Sequence, residues 1–227
     1  MKTNNEKAGK KMKKEKMKKL YISISALMAF VLWTATICFI DVKSIGPKGS
    51  SVGFATVNSL VHKLTGVHMS LYHITDWLGL VPIFVAMCFG LLGLFQWIKR
   101  KKLRRVDYSI FILGGFYIAV ISVYVLFEFV TVNYRPVLIN GILETSYPSS
   151  TTLLVTTVMP TAIMQLKSRI KHSKTKKWLV FAIRFFVAFM VIARLISGVH
   201  WVTDIIGGLL LSVAMVTMYS YIINLKH

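Results

Sequence analysis

Long apolar runs bounded by dense basic blocks dictate what this 227-residue chain can fold into. From Tyr21 onward, stretches of about 20 residues recur with almost no charge, and that is the helix length that crosses the hydrocarbon core of a bilayer. Inside hydrocarbon every backbone N–H and C=O must find its partner within the protein, so such runs are read as helices. Apolar residues make up 55% of the sequence, more than a soluble domain of this size carries. The runs predict an all-α, polytopic membrane protein with six transmembrane helices, near residues 21–41, 75–98, 107–133, 149–166, 178–197 and 201–224. A basic tail, residues 1–19, precedes a single membrane domain, residues 20–227.

The formal charge is +20, which raises nucleic acid as a partner. The placement of the charges argues against it. Nine lysines fall in residues 1–19, six basic residues in 99–105 and six in 167–177. Each block abuts an apolar run, as topology signals that meet anionic headgroups do. The connections 42–74, 134–148 and 198–200 hold only Lys43, Lys48, Lys63 and Arg135. The positive-inside rule therefore predicts cytoplasmic N and C termini, with these connections outside. The basic start followed by an apolar run resembles a secretory signal, but Tyr21–Ile40 is too long for one, which predicts an uncleaved first helix. Cys38 and Cys88 lie inside apolar runs and read as small apolar side chains.

Within the first outer connection, Phe54, Val57, Val61 and Leu64 recur at helical spacing. They predict a short amphipathic helix, either on the membrane surface or partly buried as a loop helix. Ionisable residues in or at the edge of membrane helices are costly, so each one invites a functional reading. They are Glu128, Arg135, Arg184, Arg194, His200 and Asp204, and all but Arg184 collect at the outer ends of spans three to six. Arg184 reads as a side chain that snorkels toward the cytoplasmic surface.

Arg194 and His200 bracket the turn Ile196-Ser197-Gly198-Val199, and Asp204 follows His200 by four residues. That spacing puts both side chains on one helix face. A carboxylate there can fix the imidazole tautomer and free the other ring nitrogen to attack. Tyr134-Arg135-Pro136 opens the second outer loop, and Pro148-Ser149-Ser150-Thr151 closes it at the start of a span. Hydroxyls and free N–H groups at a helix N-terminus suit an anion, and they equally suit an ordinary cap at Ser149 or Ser150.

Taken together, Arg135-Pro136, Pro148-Ser149-Ser150-Thr151, and Arg194, His200 and Asp204 at their spacing resemble the three signature motifs of the type 2 phosphatidic acid phosphatase superfamily, related to haloperoxidases. The context Ser197-Gly198-Val199-His200-Trp201 and Asp204-Ile205-Ile206-Gly207-Gly208 fits as well, and the resemblance spans residues 70–225. It implies a membrane lipid phosphatase in the cell envelope, with its active site facing the extracytoplasmic side. His200 would take the phosphoryl group, Asp204 would orient it, and Arg135 and Arg194 would hold the phosphate oxygens. Ser149, Ser150 and Thr151 would complete the phosphate cradle. No metal and no cofactor are implied. The substrate would be a lipid phosphate or diphosphate of the surrounding bilayer, such as undecaprenyl diphosphate, phosphatidylglycerol phosphate or phosphatidate.

Two positions depart from the family pattern. Glu128 stands where the first motif has a Lys, and Thr151 stands where the second has the His that protonates the leaving oxygen. A threonine hydroxyl is far too weak an acid for that task. An active enzyme would then use a leaving group that needs no proton, or another acid: Glu128, or His62, His68 or His73 from the outer loop. The alternative is a homologue that binds lipid phosphates without turnover. A transporter is disfavoured by the compact cradle and the absence of broken helices.

Overall fold

The computed structural model describes residues 2–226, with side chains from Gly9 onward. Eight helices follow in order: α1 (Lys2–Phe39), α2 (Ala55–Thr65), α3 (Met69–Leu78), α4 (Leu80–Arg100), α5 (Tyr108–Phe129), α6 (Ser150–Arg169), α7 (Ser173–Ile196) and α8 (Val202–Ile223). Among the described residues the only β pairings are isolated bridges, so the chain is all-α as expected.

Among the described residues, five segments are long and apolar enough to cross a membrane: Gly9–Phe39, Met69–Arg100, Tyr108–Phe129, Ser173–Ile196 and Val202–Ile223. The chain is thus a multi-pass helical membrane protein. The fourth expected span, 149–166, forms as α6 but is less apolar, because Thr151, Thr152, Thr156, Thr157 and Thr161 lie in it. Its position explains the composition. α6 packs against α4, α5, α7 and α8, and it buries Leu153, Val155, Val158, Met159 and Ala162. A helix surrounded by helices need not be oily on every side. Two of its threonines pair with their own helix: Thr157 Oγ1 donates to the Leu153 carbonyl at 2.7 Å and Thr161 Oγ1 to the Thr157 carbonyl at 3.0 Å.

Other boundaries moved. The expected second span is two helices, α3 and α4, meeting at Gly79, whose backbone stays helical (φ −61°, ψ −18°). The third ends at Phe129 and not near 133. α1 runs unbroken from Lys2 to Phe39, through the expected basic tail and first span; the side chains of residues 1–8 lie outside the described residues. α1 lies along α8, where Ser23 Oγ donates to the Ala214 carbonyl at 2.7 Å and Trp33 Nε1 to the Thr203 carbonyl at 3.1 Å.

The short loop helix forms as α2, with its polar side turned inward. Asn58 is fully buried and donates to the Gly53 carbonyl at 2.8 Å and to Thr203 Oγ1 at 3.0 Å. Val57, Leu60 and Leu64 are exposed instead. At the end carrying the basic loops, Asp107 ties α4 to α6: Gln96 Nε2 donates to it at 2.9 Å, Arg100 pairs with it at 2.9 Å and Arg169 at 3.5 Å.

Candidate active site

At the opposite end of the bundle, the 130–149 loop folds over the α7–α8 turn. The loop is a short hairpin, with bridges Tyr134–Thr145 and Ile139–Ile142 around Asn140-Gly141. Both turn residues have positive φ, 51° and 77°, as a two-residue hairpin turn requires. The pairing sets Arg135 opposite Glu144. The Arg135 N–H donates to the Glu144 carbonyl at 3.0 Å, and Arg135 Nε pairs with Glu144 Oε2 at 2.9 Å.

The α7–α8 turn depends on Gly198. Its φ is +69°, and a Cβ placed there would lie 1.9 Å from the carbonyl oxygen of Gly66. The segment after α2 therefore presses directly on the turn that carries His200. His68 N–H donates to the Ser197 carbonyl at 3.0 Å, and His62 Nε2 donates to the Gly198 carbonyl at 3.1 Å. His62 and His68 thus brace the turn from outside. His73 is exposed, beside the ring of Tyr72 at 5.2 Å.

His200 is 3% exposed and held at both ring nitrogens. Nδ1 lies 3.1 Å from the Ser146 carbonyl, and a carbonyl only accepts, so Nδ1 carries the proton. In a neutral ring Nε2 then holds a lone pair, and Arg135 Nη1 donates to it at 3.1 Å. Burial, followed by the nearby Arg135 and Arg194 charges, holds the imidazole pKa well below its ordinary value. The neutral, nucleophilic form is therefore favoured.

Asp204 lies beside the ring, as its spacing suggested, but does not take the Nδ1 proton. Its Oδ2 is 3.7 Å from His200 Nδ1, farther than the Ser146 carbonyl that takes the proton. The fully buried carboxylate accepts instead from the Trp201 N–H at 3.0 Å and from Asn133 Nδ2 at 3.3 Å. It caps the first turn of α8 and places negative charge behind the imidazole. Ser146 is itself tied to the carbonyl of Asn133, through its N–H at 2.9 Å and Oγ at 3.2 Å.

Arg194 is 1% exposed. Residues of α3 hold it: Nη1 donates to Thr75 Oγ1 at 3.1 Å, Nη2 lies 3.8 Å from Asp76 Oδ1, and the guanidinium sits 4.8 Å from the Tyr72 ring. Its Nε has no partner, and neither do the buried hydroxyls of Ser149 and Thr152. Buried donors are nearly always paired, so these orphaned atoms suit an oxyanion ligand.

A narrow cleft at this end is lined by Tyr124, Glu128, Arg135, Ser146, Ser150 and His200, among others. Glu128 therefore shares the cleft with the imidazole. Thr151 does not line it; its methyl lies beside Gly79 at the α3–α4 junction. Ser149 is buried behind the cleft, where its N–H donates to the Asp204 carbonyl at 3.1 Å. Among the described residues, no three His, Cys, Asp or Glu side chains gather as a metal site would need.

Residues 127–227 match the model of the PAP2 superfamily. Among curated proteins, none matches the chain significantly. The fold is similar to a crystal structure described as that of the first transmembrane PAP2 type phosphatidylglycerolphosphate phosphatase from Bacillus subtilis. That similarity has a TM-score of 0.57 at 18% identity and covers 88% of this chain and 94% of that one. The matched segment contains Glu128, Arg135, Ser149, Arg194, His200 and Asp204, whereas Thr75, Asp76, Asn58 and His62, which brace it, come from before it.

Reading the sequence missed Asn133, Glu144, Ser146, Thr75 and Asp76. Glu144 was out of reach as well, because the register set by Asn140-Gly141 would place Arg135 opposite Ser146, and the Tyr134–Thr145 bridge shows that the pairing slips by two residues. The Ser146 contact is made by a backbone carbonyl and carries no side-chain signature.

Proposed function

We infer that the protein is an integral membrane phosphatase that removes a phosphoryl group from a lipid phosphate or diphosphate. The observation that carries this reading is the state of His200: proton on Nδ1, lone pair on Nε2, and Arg135 Nη1 at 3.1 Å from that lone pair. Nε2 attacks phosphorus, the bond from phosphorus to the leaving oxygen breaks, and water then cleaves the phospho-histidine. Arg135 and Arg194 neutralise the charge on the equatorial oxygens, with Ser149 and the N–H groups at the start of α6 as further donors. Asp204 stabilises the positive ring through the field of its charge and keeps the turn in place. The match of residues 127–227 to the PAP2 superfamily model supports the phosphoryl chemistry.

The topology that goes with this reading has α6 as a sixth crossing, both termini in the cytoplasm with the Lys99–Arg105 and Lys167–Lys177 blocks, and the His200 cleft on the extracytoplasmic face of the cell membrane. No imidazole stands at position 151, and Asp76 and Glu144 are each turned to an arginine. A leaving alkoxide would depart unprotonated unless Glu128 supplied the proton. A phosphate leaving group needs no such help, which favours lipid diphosphates. A phosphate-release screen over lipid mono- and diphosphates tests this: diphosphates should be preferred and His200→Ala should abolish release. Lipid binding that survives His200→Ala, without any release by the wild type, would favour a binding protein instead.

A further inference from the structure

Arg184 stands near the middle of α7, and the site described above does not use it. Its side chain is exposed on a helix long and apolar enough to cross the membrane, and no described residue pairs with it. An unpaired guanidinium facing hydrocarbon is expensive. The chain offers no local counter-charge, since no Asp or Glu lies between Glu144 and Asp204. Asp107, the acid at the basic-loop end, already serves Arg100 and Arg169.

Arg184 shares a cavity of about 580 Å³ with Lys167, in the seam between α6 and α7. The rest of that seam is largely apolar, with Pro160, Ile163, Val191 and Leu209 among its walls. On α6 it runs from Thr156 to Lys167, about 16 Å of helix at 1.5 Å per residue. Lys167 in the last turn of α6, Arg184 about three turns into α7 and hydrocarbon along the remainder match the shape and charge of a phospholipid. Arg184 can carry its guanidinium toward the headgroup level while its methylenes stay in the seam.

We propose that the α6–α7 seam holds one anionic phospholipid from the leaflet on the Lys167–Lys177 side. Its phosphate bridges Arg184 and Lys167, and one acyl chain lies along α6 toward Thr156. The lipid supplies the counter-charge that the chain lacks. It also covers the helices that position Ser149 at one end of α6 and Arg194 at the far end of α7. This site is separate from the His200 cleft and does not depend on the phosphatase reading.

The test uses the full chain in nanodiscs of POPC alone or POPC:POPG at 4:1, with retained lipids counted by native mass spectrometry. The wild type should keep one POPG that Arg184→Ala/Lys167→Ala loses, a drop of about tenfold or more in occupancy for two missing cations. Its unfolding midpoint should rise with POPG, and that rise should vanish in the double variant. Lys171→Ala/Lys174→Ala, in the same basic block but outside the seam, should keep both responses. Arg184→Lys should keep most of the POPG. Equal POPG retention by wild type and double variant would overturn the proposal. So would an equal loss in the Lys171/Lys174 control, or a dimer of the chain that disappears with Arg184.

Discussion

Replacing Gly198 with alanine puts the largest strain on the turn that carries His200. The backbone there has φ +69°, and the new Cβ would lie 1.9 Å from the Gly66 carbonyl oxygen and 3.1 Å from the Val67 Cα. The obstruction is backbone, so no side chain can rotate aside. The left-handed conformation costs an L-residue roughly 1–2 kcal/mol. Overpacking against a fixed neighbour costs roughly 1–3 kcal/mol more. Together these come to roughly 2–5 kcal/mol. At about 2–4 °C per kcal/mol for a chain of this size, the unfolding midpoint should fall by roughly 4–20 °C. Scanning fluorimetry of the detergent-solubilised protein measures this directly. Gly114→Ala is the control, since its Cβ would meet nothing within 4 Å. A Gly198→Ala midpoint indistinguishable from the control would refute the close packing of Gly66 on this turn.

Further predictions concern the cleft. Glu144→Gln should lower kcat/KM about fivefold with little loss of stability, because a partly exposed pair is worth up to about 1 kcal/mol but its loss frees the Arg135 fork; unchanged kinetics would remove Glu144 as a positioning residue. Ser149→Ala should leave the unfolding midpoint nearly unchanged, since Oγ has no protein partner, yet weaken inhibition by inorganic phosphate by roughly fivefold to tenfold; a lower midpoint with unaltered inhibition would make the hydroxyl structural. Nitrogen-15 NMR of labelled histidine should find His200 neutral with the proton on Nδ1 at pH 7, and still neutral as pH drops past its ordinary value. Because its folded pKa is lowered, the stability it contributes is fully present above about 6.5 and is lost as pH falls through the depressed value. A ring protonated on Nε2, or one titrating at 6.5 or above, would contradict the geometry.

The helices were legible because hydrocarbon leaves few choices: a run such as Tyr108–Phe129 must be helical if it crosses a bilayer. α6 was the least legible of them, since its surroundings are other helices and Thr156, Thr157 and Thr161 satisfy their hydroxyls within the helix. The inward polar side of α2 was also hidden, because Asn58 is ordered by Thr203 and Gly53, one of them far away in sequence. At the site, Arg135, Arg194, His200 and Asp204 could be located from their spacing. The partner of each could not. The proton on His200 Nδ1 goes to the Ser146 carbonyl, and Asp204 spends its oxygens on Trp201 and Asn133. Arg194 is held by Thr75 and Asp76, which enter the site only through tertiary packing.

The central claim is that His200 Nε2 takes a phosphoryl group. Rapid-quench labelling with a lipid diphosphate carrying ³²P at the terminal phosphate tests it most directly. The account predicts an acid-labile, alkali-stable phosphoenzyme that maps to His200 and is absent from His200→Ala. Undiminished phosphate release by His200→Ala, or label mapping to another residue, would contradict it.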